Sequence, residues 1–316
     1  MSLTPRRLAL SALAGIVSLT AVACVDPVDH GAIARAGVNL DPQQERINSE
    51  INPEVAALVP EEIAEDGALA IGHGKTSSPP LAVTASDNRT MLGVEIDLAR
   101  NIAQTMGLEP ELVPISWDAW PMRLATGDVE IMHSNIGITE ERMERFDFAT
   151  TRAGYLAIDR PTGSDVEVHD YEDISSLRIG LVPGTNQERI MNLWNEQLLA
   201  EGQEPAEIYY YSRDTDYILS LLAGHLDVSV SPYPSARFRE NTRSDLEVAG
   251  RINAGWPDDS LVGSVTQRGN GLAPALAAAV NSMIADGTYQ EILETWGISD
   301  EAIDLSEVYS LDERTS

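Results

Sequence analysis

The sequence predicts an α/β fold of two lobes with a cleft between them, and three observations predict it. From residue 68 onward, strand-like runs alternate with amphipathic helical stretches, which builds mostly parallel sheets with helices on their faces. The progression starts twice, at Ala68-Leu69-Ala70-Ile71 and again at the run from Leu177 to Val182. Each progression also delivers a strand into a helix N-terminus, and interfaces between such lobes are where small ligands bind.

At the N-terminus, Arg6 and Arg7 precede an apolar run from Leu8 to Ala23 that stops at Cys24. This is the pattern of a signal peptide, too short for a membrane span. Ala21-Val22-Ala23 are small enough for a peptidase site resembling a lipobox, which makes Cys24 the first mature residue and the carrier of lipid; an ordinary secretory cleavage nearby is the alternative. Pro5-Arg6-Arg7-Leu8 matches the twin-arginine export signal poorly, so Sec export is favoured. Residues 1–24 are thus read as signal. Residues 25–65 are read as a flexible tether, interrupted by Pro27, Gly31, Gly37 and Pro42, that ends in a short helix over Pro53–Glu65.

Cys24 is the only cysteine, so the mature fold has no disulfide, no thiol nucleophile and no cysteine-bearing zinc site. With 43% hydrophobic residues among 316, two ordinary cores can form. The 21 basic and 50 acidic residues give a net charge of −29, which argues against nucleic acid as a partner and against lying flat on anionic lipid. His73, His133 and His225 are dispersed without ligand spacing, so neither a metal nor another cofactor is expected.

In the first lobe, Gly93 to Gly107 reads as a helix with Leu98, Ile102, Ala103 and Met106 on one face and a glycine suited to a left-handed cap. Glu95 and Asp97, on the same helix, are expected to face solvent or to cap it. Leu112–Ile115 reads as a strand, Trp120–Thr126 as a helix and Val129–Met132 as a strand. In the second lobe, the strand from Leu177 leads into Pro183-Gly184-Thr185-Asn186-Gln187-Glu188, where Thr185 and Glu188 have capping-box spacing. Tyr217–Ala223 reads as a helix, Leu226–Val230 as a strand, and Pro232-Tyr233-Pro234 as a break in regular structure. Alternation along a strand sends Tyr209 and Tyr211 to one face and Tyr210 to the other.

The most informative stretch is Ser134–Thr150, SNIGITEERMERFDFAT. It reads as a strand ending at a helix N-terminus, with Thr139 as cap and Arg142 three residues on. Such a corner brings orphan backbone N–H groups, the positive end of a helix dipole and a guanidinium fork to one point, a place to hold a carboxylate. An arginine there opposes the dipole unless an anion offsets it.

This block resembles a signature of the family 3 extracytoplasmic solute-binding proteins of ABC importers. Residues 93–107 and the closing MIADGTYQEILETWG around 284–297 resemble further blocks of that family, in the same order. The resemblance covers nearly all of residues 67 to 298. It implies a type II periplasmic-binding-protein-like fold, α/β, with two lobes joined by two crossover strands. The first lobe is placed at 66–156 plus 263–316 and the second at 157–262, with crossings near Tyr155–Pro161 and Asn253–Val265. It further implies a monomeric, non-enzymatic binding component that works with ABC permease subunits.

Residue by residue, the resemblance assigns Arg142 to the ligand carboxylate, helped by backbone N–H groups around Asn135 and Gly137. It makes Trp117 an aromatic wall, with core packing the competing reading, and puts Thr185 and Asn186 in a loop that closes over the ligand. The departures shape the expected ligand. Relatives that bind amino acids place an Asp where this chain has Ser231, and an acid and an aromatic where it has Lys75 and Ser78. That shifts the cleft toward anions, unless Glu95, Asp214 or Asp216 supplies the ammonium partner. The expected order is polar or acidic amino acids first, dicarboxylates second and basic amino acids last. A dehydratase acting on cyclic carboxylates and a sensory module are the alternatives on the same fold.

Overall fold

The computed structural model describes residues 38–74 and 78–311. The signal segment, Cys24 and Lys75 lie outside the described residues. No helix among those described is long and apolar enough to cross a membrane.

The first sheet is built around β1 (Ala68–Gly74), which pairs in parallel with β4 (Glu109–Ile115) and β5 (Ile131–Gly137). Two further strands, β6 (Phe146–Ala153) and β12 (Leu261–Gln267), and the short β13 (Val308–Tyr309) complete the order β13-β6-β12-β5-β1-β4. The strand β12 runs antiparallel to both β5 and β6. A ribbon of β2 (Val83–Thr84) and β3 (Met91–Leu92) lies outside this sheet.

The second sheet has the order β11-β7-β10-β8-β9, from β7 (Tyr155–Pro161), β8 (Arg178–Leu181), β9 (Glu207–Tyr210), β10 (Val228–Pro232) and β11 (Leu246–Asn253). In it β8 is parallel to β9 and β10, while β7 is antiparallel to β10 and β11. The chain therefore changes sheet at Gly154 and again between Asn253 and Leu261. Tyr155 and Leu156 belong to the second sheet, and Leu261 and Val262 to the first. The two passages are bonded to each other: Gly154 N–H donates to Ser260 O at 2.9 Å and Ala254 N–H to Gly154 O at 3.1 Å.

Before β1, α1 (Pro53–Ala56) and α2 (Glu61–Ala64) are two short turns where one helix is expected, because Pro60 has no N–H to continue the first. Residues 38–52, expected to be a loose tether, lie along the next helix, α3 (Val94–Thr105). Arg46 pairs with Asp97, Ser49 Oγ donates to Asn101 Oδ1 at 3.0 Å, and Leu40 is buried beside Val83 and Leu92. The polar outer face of α3 supplies partners that such a segment needs.

The inner face of α3 is legible in the heptad-like spacing. Leu98, Ile102, Ala103 and Met106 are all buried, packed against Leu276, Val280 and Met283 of α9 (Ala273–Asp286). After α9, Gly287 adopts φ +89° and the chain turns into α10 (Thr288–Thr295), which buries Tyr289, Ile292 and Leu293. In the second lobe, α6 (Asn186–Ala200) buries Ile190, Met191, Trp194 and Leu198 against β7, β8 and β10. That apolar stripe at helical spacing is what docks the helix on its sheet.

Two local expectations are corrected. Pro232-Tyr233-Pro234 does not break regular structure: β10 ends at Pro232 and α8 (Tyr233–Thr242) begins at once, since proline is compatible with a first helical turn. Glu95 and Asp97 are buried, because partners distant in sequence neutralise them.

Candidate functional site

Between the lobes lies a cavity of about 140 Å³ whose lining comes from both sheets and from helix starts on either side. Its first-lobe floor is the corner read from the sequence. The strand β5 ends at Gly137, and Thr139 caps α5 (Glu140–Met143) by accepting the Arg142 N–H at 3.3 Å. The single turn of α5 is short, and it holds Arg142 against the cleft.

The half-buried Arg142 guanidinium stacks near Trp117 and Trp120, its carbon 5.6 and 5.9 Å from the ring centres. It donates to Gly137 O at 2.7 Å and, across the cleft, to Gly184 O at 3.4 Å. No carboxylate lies within ion-pair distance of it among the described residues. Burial, with Arg189 nearby and despite Glu141, lowers its pKa to about 10. A guanidinium held this way lacks the counter-charge that burial calls for.

Trp117 also lines the cavity and donates its indole N–H to Gly184 O at 3.1 Å. The first lobe thus reaches the second through two donors on one carbonyl. Opposite, Thr185 caps α6: its hydroxyl donates to Val182 O at 2.7 Å and accepts the Glu188 N–H at 3.3 Å. The hydroxyl proton is committed to Val182 O, so Thr185 can donate to a ligand only through its backbone. The Glu188 carboxylate accepts from Gly184 N–H at 2.6 Å rather than from Thr185, so the capping box is closed one residue early. Asn186 is buried and donates to Ala254 O at 3.1 Å. Gln187, unmarked in the sequence reading, lines the cavity beside it.

Gly137 has a structural reason to be glycine. A Cβ there would overlap Asn186 Nδ2 and stand 3.5 Å from Asn186 Cγ. The hydroxyl that a serine would offer is replaced by an amide from the facing lobe.

Asn135 lines the cavity at φ +53°, a conformation asparagine tolerates better than most residues. Its N–H, expected to serve a ligand, donates instead to Glu95 Oε2 at 2.6 Å, and its side-chain oxygen accepts from Arg152. Behind it, Arg152 donates to Glu95 Oε1 at 3.0 and 2.7 Å and also pairs with Glu301. His133 lies 3.6 Å from Glu95 through Nε2, and its Nδ1 is 2.6 Å from Ser264 Oγ. Burial opposes the Glu95 charge, but Arg152, His133 and the Asn135 N–H outweigh it and hold its pKa below the ordinary value. Burial pushes Glu301 the other way, up to about 7. One guanidinium does not neutralise two buried carboxylates, so the second keeps its proton longer. Only the arginine itself, an isolated cation in the strand FDFATTRA, could have flagged this cluster in advance.

Ser78 lines the cavity, as does Ser134, whose hydroxyl accepts the Gly74 N–H at 3.0 Å. Ser231 is placed differently from its expected role. It is fully buried, donates to Asp159 Oδ2 at 2.7 Å and accepts from Arg239 at 2.6 Å, beneath the cavity wall. Arg239 in turn grips Asp159 at 3.0 and 2.8 Å, and this pair consumes the polar capacity of the strand end. The acid that does line the cavity is Asp214, first residue of α7 (Asp214–Leu222), next to Arg213.

The family model for bacterial extracellular solute-binding proteins, family 3, matches residues 70–299. The chain belongs to this family. The arginine-binding protein ArgT of Corynebacterium glutamicum is 30% identical to this solute-binding protein over 304 residues, 95% of each chain. The L-cystine-binding protein TcyJ of Escherichia coli K12 is 25% identical over 238 residues, 74% of this chain and 84% of its own. Among solved structures, the ancestral amino acid-binding protein AncCDT-1, described as a precursor of cyclohexadienyl dehydratase, superposes with a TM-score of 0.65 at 22% identity. It covers 76% of this chain and 99% of its own. The fold of this solute-binding protein is the type II periplasmic-binding-protein architecture that the sequence predicts.

Proposed function

We propose that this family 3 protein is the ligand-binding component of an ABC importer for an α-amino acid, with polar or acidic side chains favoured over basic ones. The reading includes export under the N-terminal signal, anchoring by lipid at Cys24 on the outer face of the membrane, and delivery of ligand to permease subunits. The observation that carries it is Arg142: a half-buried guanidinium, stacked on Trp117, facing a cavity shared with the N-terminus of α6 and lacking a carboxylate partner among the described residues. A ligand carboxylate supplies that partner, and the open N–H groups at the start of α6 close on it from the second lobe. The ligand then favours the closed arrangement by the contacts it gains there.

The preference for polar or acidic side chains follows from the charges of the lining. Among the described residues these are Arg142, Arg213, which pairs with Asp216 at 2.9 Å, and Asp214, so a single anion faces the ligand and none is left for a basic side chain once an α-ammonium is held. The name of ArgT supports the opposite order, with a basic ligand, while that of TcyJ, an L-cystine binder, agrees with a polar one. Titration calorimetry with the twenty L-amino acids and a set of dicarboxylates, on protein refolded free of carried ligand, decides between them. Binding of glutamate, glutamine, aspartate or serine ahead of arginine and lysine is expected, and Arg142→Ala abolishes it. Arginine or lysine as the tightest ligand overturns the order. No ligand at all, together with an Arg142→Ala variant that behaves as wild type, overturns the function. Burial raises the pKa of Asp214, which is also how a general acid is tuned, so a dehydratase on this fold is the second reading. Turnover of a cyclic carboxylate would establish it.

A further inference from the structure

We propose that Asp214 fixes the ammonium group of the ligand and is the residue by which the cleft selects α-amino acids over simple carboxylates. The proposal rests on Arg142 holding the ligand carboxylate, as above. Asp214 is the only acid lining the cavity among the described residues. It stands on the second lobe, across the cleft from Arg142, so a zwitterion held at both ends bridges the lobes.

The surroundings leave its charge unmatched. Its Oδ1 accepts the Thr215 N–H at 2.9 Å, and no cation lies within ion-pair distance among the described residues. Its titratable neighbours are otherwise occupied or of no help. Arg239 is committed to Asp159 at 3.0 and 2.8 Å and to Ser231 at 2.6 Å. Asp159 repels a second carboxylate, and buried Tyr217 is pushed well above the ordinary phenol pKa. Arg213, beside it, pairs with Asp216 at 2.9 Å. Burial accordingly raises the pKa of Asp214. A desolvated acid without a partner is a standing cost to the empty protein, and an ammonium group removes it.

The same network explains why the acid comes from the start of α7 rather than the end of β10. A carboxylate at position 231 would point at Asp159, which already occupies the Ser231 hydroxyl at 2.7 Å. Like charges at that distance in a buried site are strongly unfavourable. The anion facing the ligand is displaced to the neighbouring element.

Matched pairs of ligands test this by calorimetry on the full chain: L-glutamine with 4-carbamoylbutanoate, L-glutamate with glutarate, and L-arginine with 5-guanidinopentanoate. Wild type is expected to prefer the amino member of its best pair. Asp214→Asn weakens that member by at least ~30-fold, as when one partner of a desolvated charge pair is removed, and leaves the deaminated member nearly unchanged. The preference therefore disappears. The ligand-free melting temperature of Asp214→Asn, and of Asp214→Ser, is expected to equal or exceed wild type, since an uncompensated charge is gone. Retained preference, or equal weakening of both members, overturns the proposal while Arg142 keeps its role. An Arg142→Ala variant that binds both members as wild type does, or a wild type that binds no pair, overturns the reading on which it rests.

Discussion

Gly137→Ala isolates lobe closure from everything else in the site. Gly137 does not have a positive φ, so alanine brings no backbone strain. The added Cβ meets the amide tip of Asn186 while Asn186 Cγ stays 3.5 Å away, so only the tip must turn. Turning it breaks the bond to Ala254 O, 3.1 Å long and buried, worth about 1 kcal/mol, and leaves some overpacking of about 1–3 kcal/mol. Because Gly137 and Asn186 sit on opposite lobes, an opened cleft does not feel the contact. The whole penalty of ~2–4 kcal/mol falls on the closed, ligand-bound arrangement, which corresponds to a dissociation constant raised about 30- to 900-fold. Calorimetry with the tightest amino acid measures it, and ligand-free thermal melting should stay near wild type. Adding Asn186→Ala removes the obstructing amide and restores part of the affinity, a coupling that a double-mutant cycle reads directly. Wild-type affinity in Gly137→Ala, or no recovery in the double variant, refutes the reasoning.

The Glu301 carboxyl gives a pH signature. Its pKa rises from 4.5 to about 7 on folding, so its stabilising contribution is complete below about 4.5 and is lost as the pH rises through 7. Glu301→Gln should flatten the stability profile between those limits by on the order of 1–3 kcal/mol in denaturant titrations; an unchanged slope counts against the assignment. Lipidation at Cys24 predicts a membrane-fraction protein whose N-terminal peptide begins at that cysteine and carries acyl chains in mass spectrometry. An unmodified N-terminus elsewhere removes the anchor.

What the sequence makes legible is local. The Thr139 cap, the buried face of α3 and the left-handed turn at Gly287 are each decided within a few residues, and periodicity or residue type reveals them. What it hides depends on distant partners. Glu95 and Asp97 look like solvent-facing acids of a helix, yet Arg152 and His133 enclose one, while Arg46 and Trp296 enclose the other. Ser231 is expected at the ligand because the resemblance puts an Asp of relatives at its position. Asp159, 72 residues earlier, and Arg239 draw it inward instead. Asp214 is one of three acids the sequence offers as an ammonium partner, and only the meeting of α7 with the cavity separates it from Glu95 and Asp216.

The C-terminal segment redraws the limits of the domain as a physical object. The match to the family model ends at residue 299. Beyond it, Glu301 reaches Arg152, Ser306 Oγ donates to Thr150 O at 2.6 Å, and Val308 and Tyr309 pair with Ala149 and Phe148 as the outermost strand. A version trimmed to the residues of that match would expose the edge of β6 and strand a buried arginine between fewer acids. The unit of stability therefore runs past the end of the family match.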